Sequence, residues 1–288
     1  MDISVVDPPD GRHYGLWVGT HPSNLTRPYS ESENAPGTSA QFDRLVGMYG
    51  QLAENGRWGF FSDLEGAGVT TNNNRGMWAG TLSTVNLACR SGSPAPGIET
   101  GGVFSCELFE LRGPINGNGK VAVINWLKGG LPSARYGVWF GPPDDFRLWL
   151  RQGSPAPGLA ADNRFAAFTA LSLSDSDRMA LNARLESGYG DADAHNDQSI
   201  WCGGSSNDLR LLVRENDHAA GLSAGIVFES FVDAPILNQN GQVLISAKLR
   251  GSGITTNNDS GLWIHDPRYG LWLVARRGDP LSNGAGDG

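Results

Sequence analysis

Tryptophan recurs along this chain at almost constant distance: Trp17, Trp78, Trp139, Trp201 and Trp263, separated by 61, 61, 62 and 62 residues. Self-similarity at a fixed period marks a chain built from stacked copies of one supersecondary unit. Five copies of one unit therefore account for the whole length. A fold that uses each segment once has no reason to repeat the same residue every 61 or 62 positions.

Other markers keep the same phase. Gly15, Gly76, Gly137 and Gly261 stand two residues before the Trp, with Ser199 as the exception. Downstream come LACRSGSPAPG, LWLRQGSPAPG, LLVRENDHAAG and LVARRGDPLSN, which place arginine at 90, 151, 214 and 276. Phe42, Phe104, Phe165 and Phe228 follow these turns, and a turn rich in Asn and Gly then opens the next segment.

Each unit of roughly 61 residues reads as four short strands. Strand a follows the Asn-Gly turn, strand b carries Gly-x-Trp, strand c runs into the Arg, and strand d begins near the Phe. The 40 glycines and 16 prolines suit many strands joined by tight turns. They interrupt every candidate helix. The expected fold is all-β, a β-propeller-like array of about five four-stranded antiparallel blades. It forms a single repeat domain over 1–288, with units near 1–50, 51–113, 114–172, 173–235 and 236–288. The repeat phase predicts units cut short at both ends, as in a fragment of a longer array or an unclosed ring.

The repeat resembles a bacterial family of secreted tandem-repeat proteins, with units of the form N-x-x-G-x-V-A-F, G-I-W and L-V-A-R-x-G-D-x-A-P-G. PILNQNGQVLISAKL, GLWIH, LWLVARRGDP, GSPAPG and PINGNGKVAV carry the likeness, with the Phe pairs Phe165–Phe168 and Phe228–Phe231. The resemblance implies an extracellular or cell-surface protein, in a family whose members carry an export signal and a surface anchor. It supplies no catalytic residues. The start of this chain shows neither the basic nor the apolar segment of a signal peptide.

The formal net charge is −8, and Lys and Arg do not cluster. Nucleic acid is thus an unexpected partner. No apolar run is long enough for a membrane helix. Zinc-protease, nucleophile-elbow and phosphate-loop motifs are absent, and the five histidines share no spacing. No cofactor is expected, with Ca²⁺ as the alternative. The candidate metal residues are Asp191, Asp193 and Asp197, acids at alternate places in an acidic loop where the EF-hand order is broken by His195.

The candidate ligand-binding residues are Arg90, Arg151, Arg214 and Arg276, which would converge on an anion. The competing expectation is that each ties down its own turn through backbone carbonyls. The repeat Trp and Phe residues are read as scaffold, against the alternative of Trp platforms for sugars. Cys89 and Cys106 are either a disulfide or two buried thiols. The leading functional expectation is a non-catalytic repeat protein whose loops bind an unknown protein or glycan ligand. A propeller-fold carbohydrate-active enzyme (glycosidase or lyase) is the alternative, and a purely structural array the third. Any specific function is expected where the units differ, chiefly in the a–b loops.

Overall fold

The computed structural model describes residues 2–6, 15–19, 21–53, 55–98, 101–106, 115–129 and 135–280. Its strands fall into five antiparallel sheets in chain order. Sheet 1 holds Asp2–Val6, Gly15–Gly19 and Thr26–Ser30. Sheet 2 holds Gln41–Leu52, Trp58–Glu65, Arg75–Gly80 and Val85–Arg90, and sheet 3 holds Val103–Phe104, Val121–Lys128, Tyr136–Gly141 and Arg147–Arg151. Sheet 4 holds Phe165–Leu173, Met179–Leu185, Gln198–Gly203 and Arg210–Arg214. Sheet 5 holds Val227–Phe231, Val243–Arg250, Ser260–Asp266 and Gly270–Arg276, with Ile236–Leu237 paired beside it.

The protein is therefore all-β and propeller-like, with a single 3₁₀ turn at Pro22–Asn24 among the described residues. No helix there is long and apolar enough to cross a membrane. Among the described residues no strand of sheet 1 pairs with a strand of sheet 5, so strand pairing there leaves the array unclosed. Hydrogen bonding sets the phase of each sheet. The Phe strand leads, and the strand after the turn, the Trp strand and the Arg strand follow. In this phase sheet 5 has its full set of strands, and sheet 1 has three described strands.

The cores lie between sheets. Leu16 and Val18 of sheet 1 meet Phe42, Phe60 and Trp78 of sheet 2. Phe61, Met77 and Cys89 meet Phe104, Val123 and Trp139. Ile124, Val138 and Leu150 meet Phe165, Leu181 and Trp201. Ala180, Ile200, Cys202 and Val213 meet Phe228, Ile245 and Trp263. Each sheet thus presents its Trp face to the preceding sheet and an aliphatic face to the next. Trp78, Trp139, Trp201 and Trp263 are 0% exposed. Trp17 is only half-buried, because no described sheet precedes it. At the other end Leu262 (38% exposed) and Val274 (51%) stand open for the matching reason.

The sequence markers become one local structure. In sheets 2 to 5 the repeat Phe meets the Trp edge-on: Phe42–Trp78 at 5.0 Å, Phe104–Trp139 at 4.8 Å, Phe165–Trp201 at 5.1 Å and Phe228–Trp263 at 4.9 Å between ring centroids. This geometry sets a positive ring edge on a negative face, and adds about 0.5–1.5 kcal/mol per pair beyond burial. The pairing with the Arg strand shifts register beside each of these four Trp residues. Such a bulge bends the strand and re-aims its side chains.

The indole lies back over the residue two before it, which is why glycine stands there. A methyl group on Gly137 would lie 2.5 Å from Trp139 Cη2, and one on Gly76 2.6 Å from Trp78 Cη2. The Trp78, Trp139 and Trp263 indole N–H groups donate to the carbonyls of Pro36 (2.8 Å), Pro96 (2.9 Å) and Ala220 (2.9 Å) in the turn arriving from the preceding sheet. The exception explains itself: Trp201 Nε1 donates instead to the Ser199 hydroxyl at 2.8 Å. Gly137→Ala is expected to lower stability by about 1–3 kcal/mol, as overpacking does. Urea denaturation would read this as a lower midpoint at unchanged slope. An unchanged midpoint would mean that the indole gives way freely.

Candidate functional site

Three of the four repeat arginines do the same job. Arg90 Nε donates to the Asn73 carbonyl at 2.7 Å, Arg214 Nε to that of Asn196 at 2.6 Å, and Arg276 Nε to that of Asn258 at 2.9 Å. Each acceptor lies in the a–b loop of the same sheet. Its side chain closes that loop by accepting from the backbone N–H of Thr70, Asp193 or Thr255, at 2.7, 2.7 and 2.8 Å. Arg and Asn together thus pin the loop. Arg151 is exposed, and residues 130–134 of its a–b loop lie outside the described residues.

The acidic loop is this same element. Asp193 Oδ1 accepts from His195 N, Asp191 faces Arg214 at 3.1 Å, and Asp197 faces Arg184 at 3.0 Å. The three carboxylates are thus directed to separate partners. Among the described residues no three His, Cys, Asp or Glu side chains gather as a cation site. The Asn163 side chain, then Arg214, hold the Asp191 carboxyl below the usual range.

Cys89 and Cys106 are free thiols with sulfurs 3.9 Å apart between sheets 2 and 3. The Asn125 amide donates to the Cys106 sulfur at 3.5 Å. The contact with Cys106 and full burial push the Cys89 thiol well up. The four sealed Trp residues offer no ring face to a sugar.

A sizeable concavity lies elsewhere. A groove of about 530 Å³ runs between sheets 4 and 5 at the end where the strand-opening turns sit. Sheet 4 lines it with Arg178, Cys202, Asp208 and Arg210 over an apolar floor of Leu211 and Leu212. Sheet 5 adds Gln239, Asn240, Gly241, His265 and Pro267. A smaller recess of about 280 Å³ lies between sheets 2 and 3 beside Arg90 and Asp145.

The groove is anchored by bonds between successive turns. Asn55 donates to the Gly117 carbonyl, Gly117 N to Asp175 at 2.5 Å, and Asp175 N to Gln239 Oε1 at 2.9 Å. Gln239 is therefore oriented, with its carbonyl already engaged. Arg178 reaches Asp208 at 3.5 Å and the Cys202 sulfur at 3.8 Å. Burial tends to raise the Asp208 carboxyl, but hydrogen bonds from Ser205 and Gly204 outweigh it and hold it low. Burial also holds the His265 imidazole below its usual range, so it is neutral at pH 7, with one donor and one acceptor nitrogen. The Cys202 thiol is raised by burial and is thus a poor nucleophile. The repeat markers include the turn at Gln239–Gly241 but do not single out this groove, because equivalent turns open strands in the other units.

Two solved structures show a limited likeness. Exo-inulinase from Aspergillus awamori is 13% identical with a TM-score of 0.31, over 74% of this chain and 46% of the enzyme, so the chain spans about half that protein's length. The Aleuria aurantia lectin, described as a six-bladed β-propeller with a novel fucose recognition mode, is 10% identical with a TM-score of 0.27, over 94% of this chain and 89% of the lectin. Scores this low transfer no binding residue to this protein. No curated protein matches the sequence. A family model matches residues 1–287, and the chain belongs to that family, described as a family of unknown function (DUF7453).

Proposed function

We propose that this protein is a non-catalytic, extracellular or surface-associated scaffold that binds a carbohydrate ligand in the groove between sheets 4 and 5. The observation that carries this reading is the groove itself. At about 530 Å³ it falls within the usual 300–1,000 Å³ of small-ligand sites. Its side-chain amides, imidazole and guanidinium groups over a leucine floor match a ligand with many hydroxyls and apolar C–H faces. The extracellular placement follows from the resemblance of the repeat to secreted bacterial proteins.

A glycosidase reading is served less well. Such enzymes set two carboxyl groups roughly 5–10 Å apart across the scissile bond, whereas the groove lining contains one carboxylate, Asp208. A panel of soluble oligosaccharides titrated calorimetrically tests the binding reading. One class is expected to bind, and Asn240→Trp, which fills the groove from an exposed turn, is expected to weaken that binding roughly tenfold or more, about 1.4 kcal/mol. No binding across the panel, or release of cleaved sugar, would overturn it.

A further inference from the structure

The repeats supply an internal control for the charge in the groove. In sheet 3 the two cations that open strands a and c are both neutralised. Lys120, just before Val121, meets Asp177 of the next sheet's turn at 2.5 Å. Arg147, four residues before Arg151, is gripped by Asp145 through Nε at 2.9 Å and Nη2 at 2.7 Å.

Sheet 4 keeps both cations but repeats neither of these two contacts, so that one acid, Asp208, serves the pair. Arg178 stands just before Met179, and Arg210 four residues before Arg214. Asp177 lies two residues before Met179; the equivalent position in sheet 5, two before Val243, is Gly241, so no acid reaches across to Arg178. Asp208 stands two residues before Arg210, as Asp145 does before Arg147. Here, however, it accepts from Gly204 N at 2.9 Å, Ser205 N at 2.6 Å and Ser205 Oγ at 3.1 Å, and faces Arg178 instead. Arg210 makes no ion pair or side-chain hydrogen bond among the described residues. Two guanidinium groups thus line one groove with a single carboxylate, in a chain whose formal charge is −8. Like charges held together without a counter-charge repel, and the planar guanidinium fork matches an oxyanion through two parallel bonds.

We propose that this groove recognises an anionic oxygen group, a carboxylate or a sulfate, on a hydroxylated ligand, with Arg210 as the primary anion partner and Arg178 as the second. The inference rests on the groove being the ligand site and adds the chemical class that it selects. Gln239 and Asn240, on the opposite wall, are placed for the hydroxyl groups.

The test uses the full chain and three probes of equal length: trigalacturonic acid, a 6-sulfated galactotriose and neutral galactotriose. At least one anionic probe is expected to bind about tenfold or more tighter than the neutral one, with affinity falling as salt rises. Arg210→Gln is expected to abolish that preference, and Arg147→Gln, the equivalent position in sheet 3, to preserve it. Whichever anionic probe binds better identifies the group. Equal affinity for neutral and anionic probes, or a preference that survives Arg210→Gln, would overturn the anion inference and leave the groove as a sugar site. Arg210-dependent binding of inorganic sulfate without binding of any trisaccharide would support the anion inference and overturn the carbohydrate reading. Absence of all binding would overturn both.

Discussion

Replacing Trp139 with alanine is expected to lower stability by about 3–5 kcal/mol, the range for deleting a fully buried aromatic side chain. The indole is 0% exposed between sheets 2 and 3, where it meets Phe104 edge-on at 4.8 Å and donates to the Pro96 carbonyl at 2.9 Å. Its removal opens a cavity in the layer that joins the two sheets and leaves that carbonyl without its partner. Trp139→Phe keeps most of the packing and loses the hydrogen bond, and is expected to cost less. Because the described cores lie between successive sheets, the loss falls mainly on one interface. Hydrogen exchange of Met77 and Val123 amides would accelerate before those of Ile245. Equal losses from the alanine and phenylalanine variants would mean that the hydrogen bond, not the packing, holds the interface.

The second large effect is expected at Arg214, which is 6% exposed. Its guanidinium donates to the Asn196 carbonyl at 2.6 Å, to Asn196 Oδ1 at 3.0 Å and to both Asp191 oxygens at 3.1 Å. Asp191 is more than half exposed, so that ion pair is screened and contributes little. The Asn196 acceptors matter more, since hydrogen bonds to charged groups are worth about 1.5–3 kcal/mol. Arg214→Ala is expected to cost about 2–3 kcal/mol and to release the loop at 191–197. Arg214→Lys is not expected to rescue it, because an ammonium cannot reproduce the fork. A thermal-melt series with loop proteolysis reads both effects. Full rescue by lysine would show that charge alone, not the directed bonds, secures the loop.

Much of the fold is legible in the repeat. The Trp spacing sets the number of sheets, and the glycine two residues ahead encodes the space that the indole needs. The Phe after each turn encodes the edge-on partner. What periodicity could not show is which strands share a sheet, since the Phe strand follows the Arg strand in sequence yet bonds to the strand after the turn. Nor could it show that Trp17 differs from its four equivalents, because burial of this residue depends on a preceding sheet rather than on its own segment.

The candidate site was the least legible part. Arg90, Arg214 and Arg276 drew attention by their regularity, yet their Nε groups are spent on loop carbonyls. The acidic run at 191–197 looked singular, yet Asn196 closes it as Asn73 and Asn258 close theirs. The groove depends instead on a glycine at 241 where the preceding unit has Asp177, and on Asp208 turning away from Arg210. A missing partner leaves no motif in a sequence; it becomes visible only when structurally equivalent positions are compared.

The central claim is that recognition resides in the groove between sheets 4 and 5, where the acids that pair with the sheet 3 cations are displaced. Amide and arginine side-chain NMR shifts recorded during titration with trigalacturonic acid and its sulfated counterpart test it most directly. The account predicts saturable shifts at Arg178, Arg210, Gln239, Asn240 and Gly241, with Arg147 and Lys120 unmoved. Shifts centred on Arg90, Arg214 and Arg276, or spread evenly over all the sheets, would contradict it.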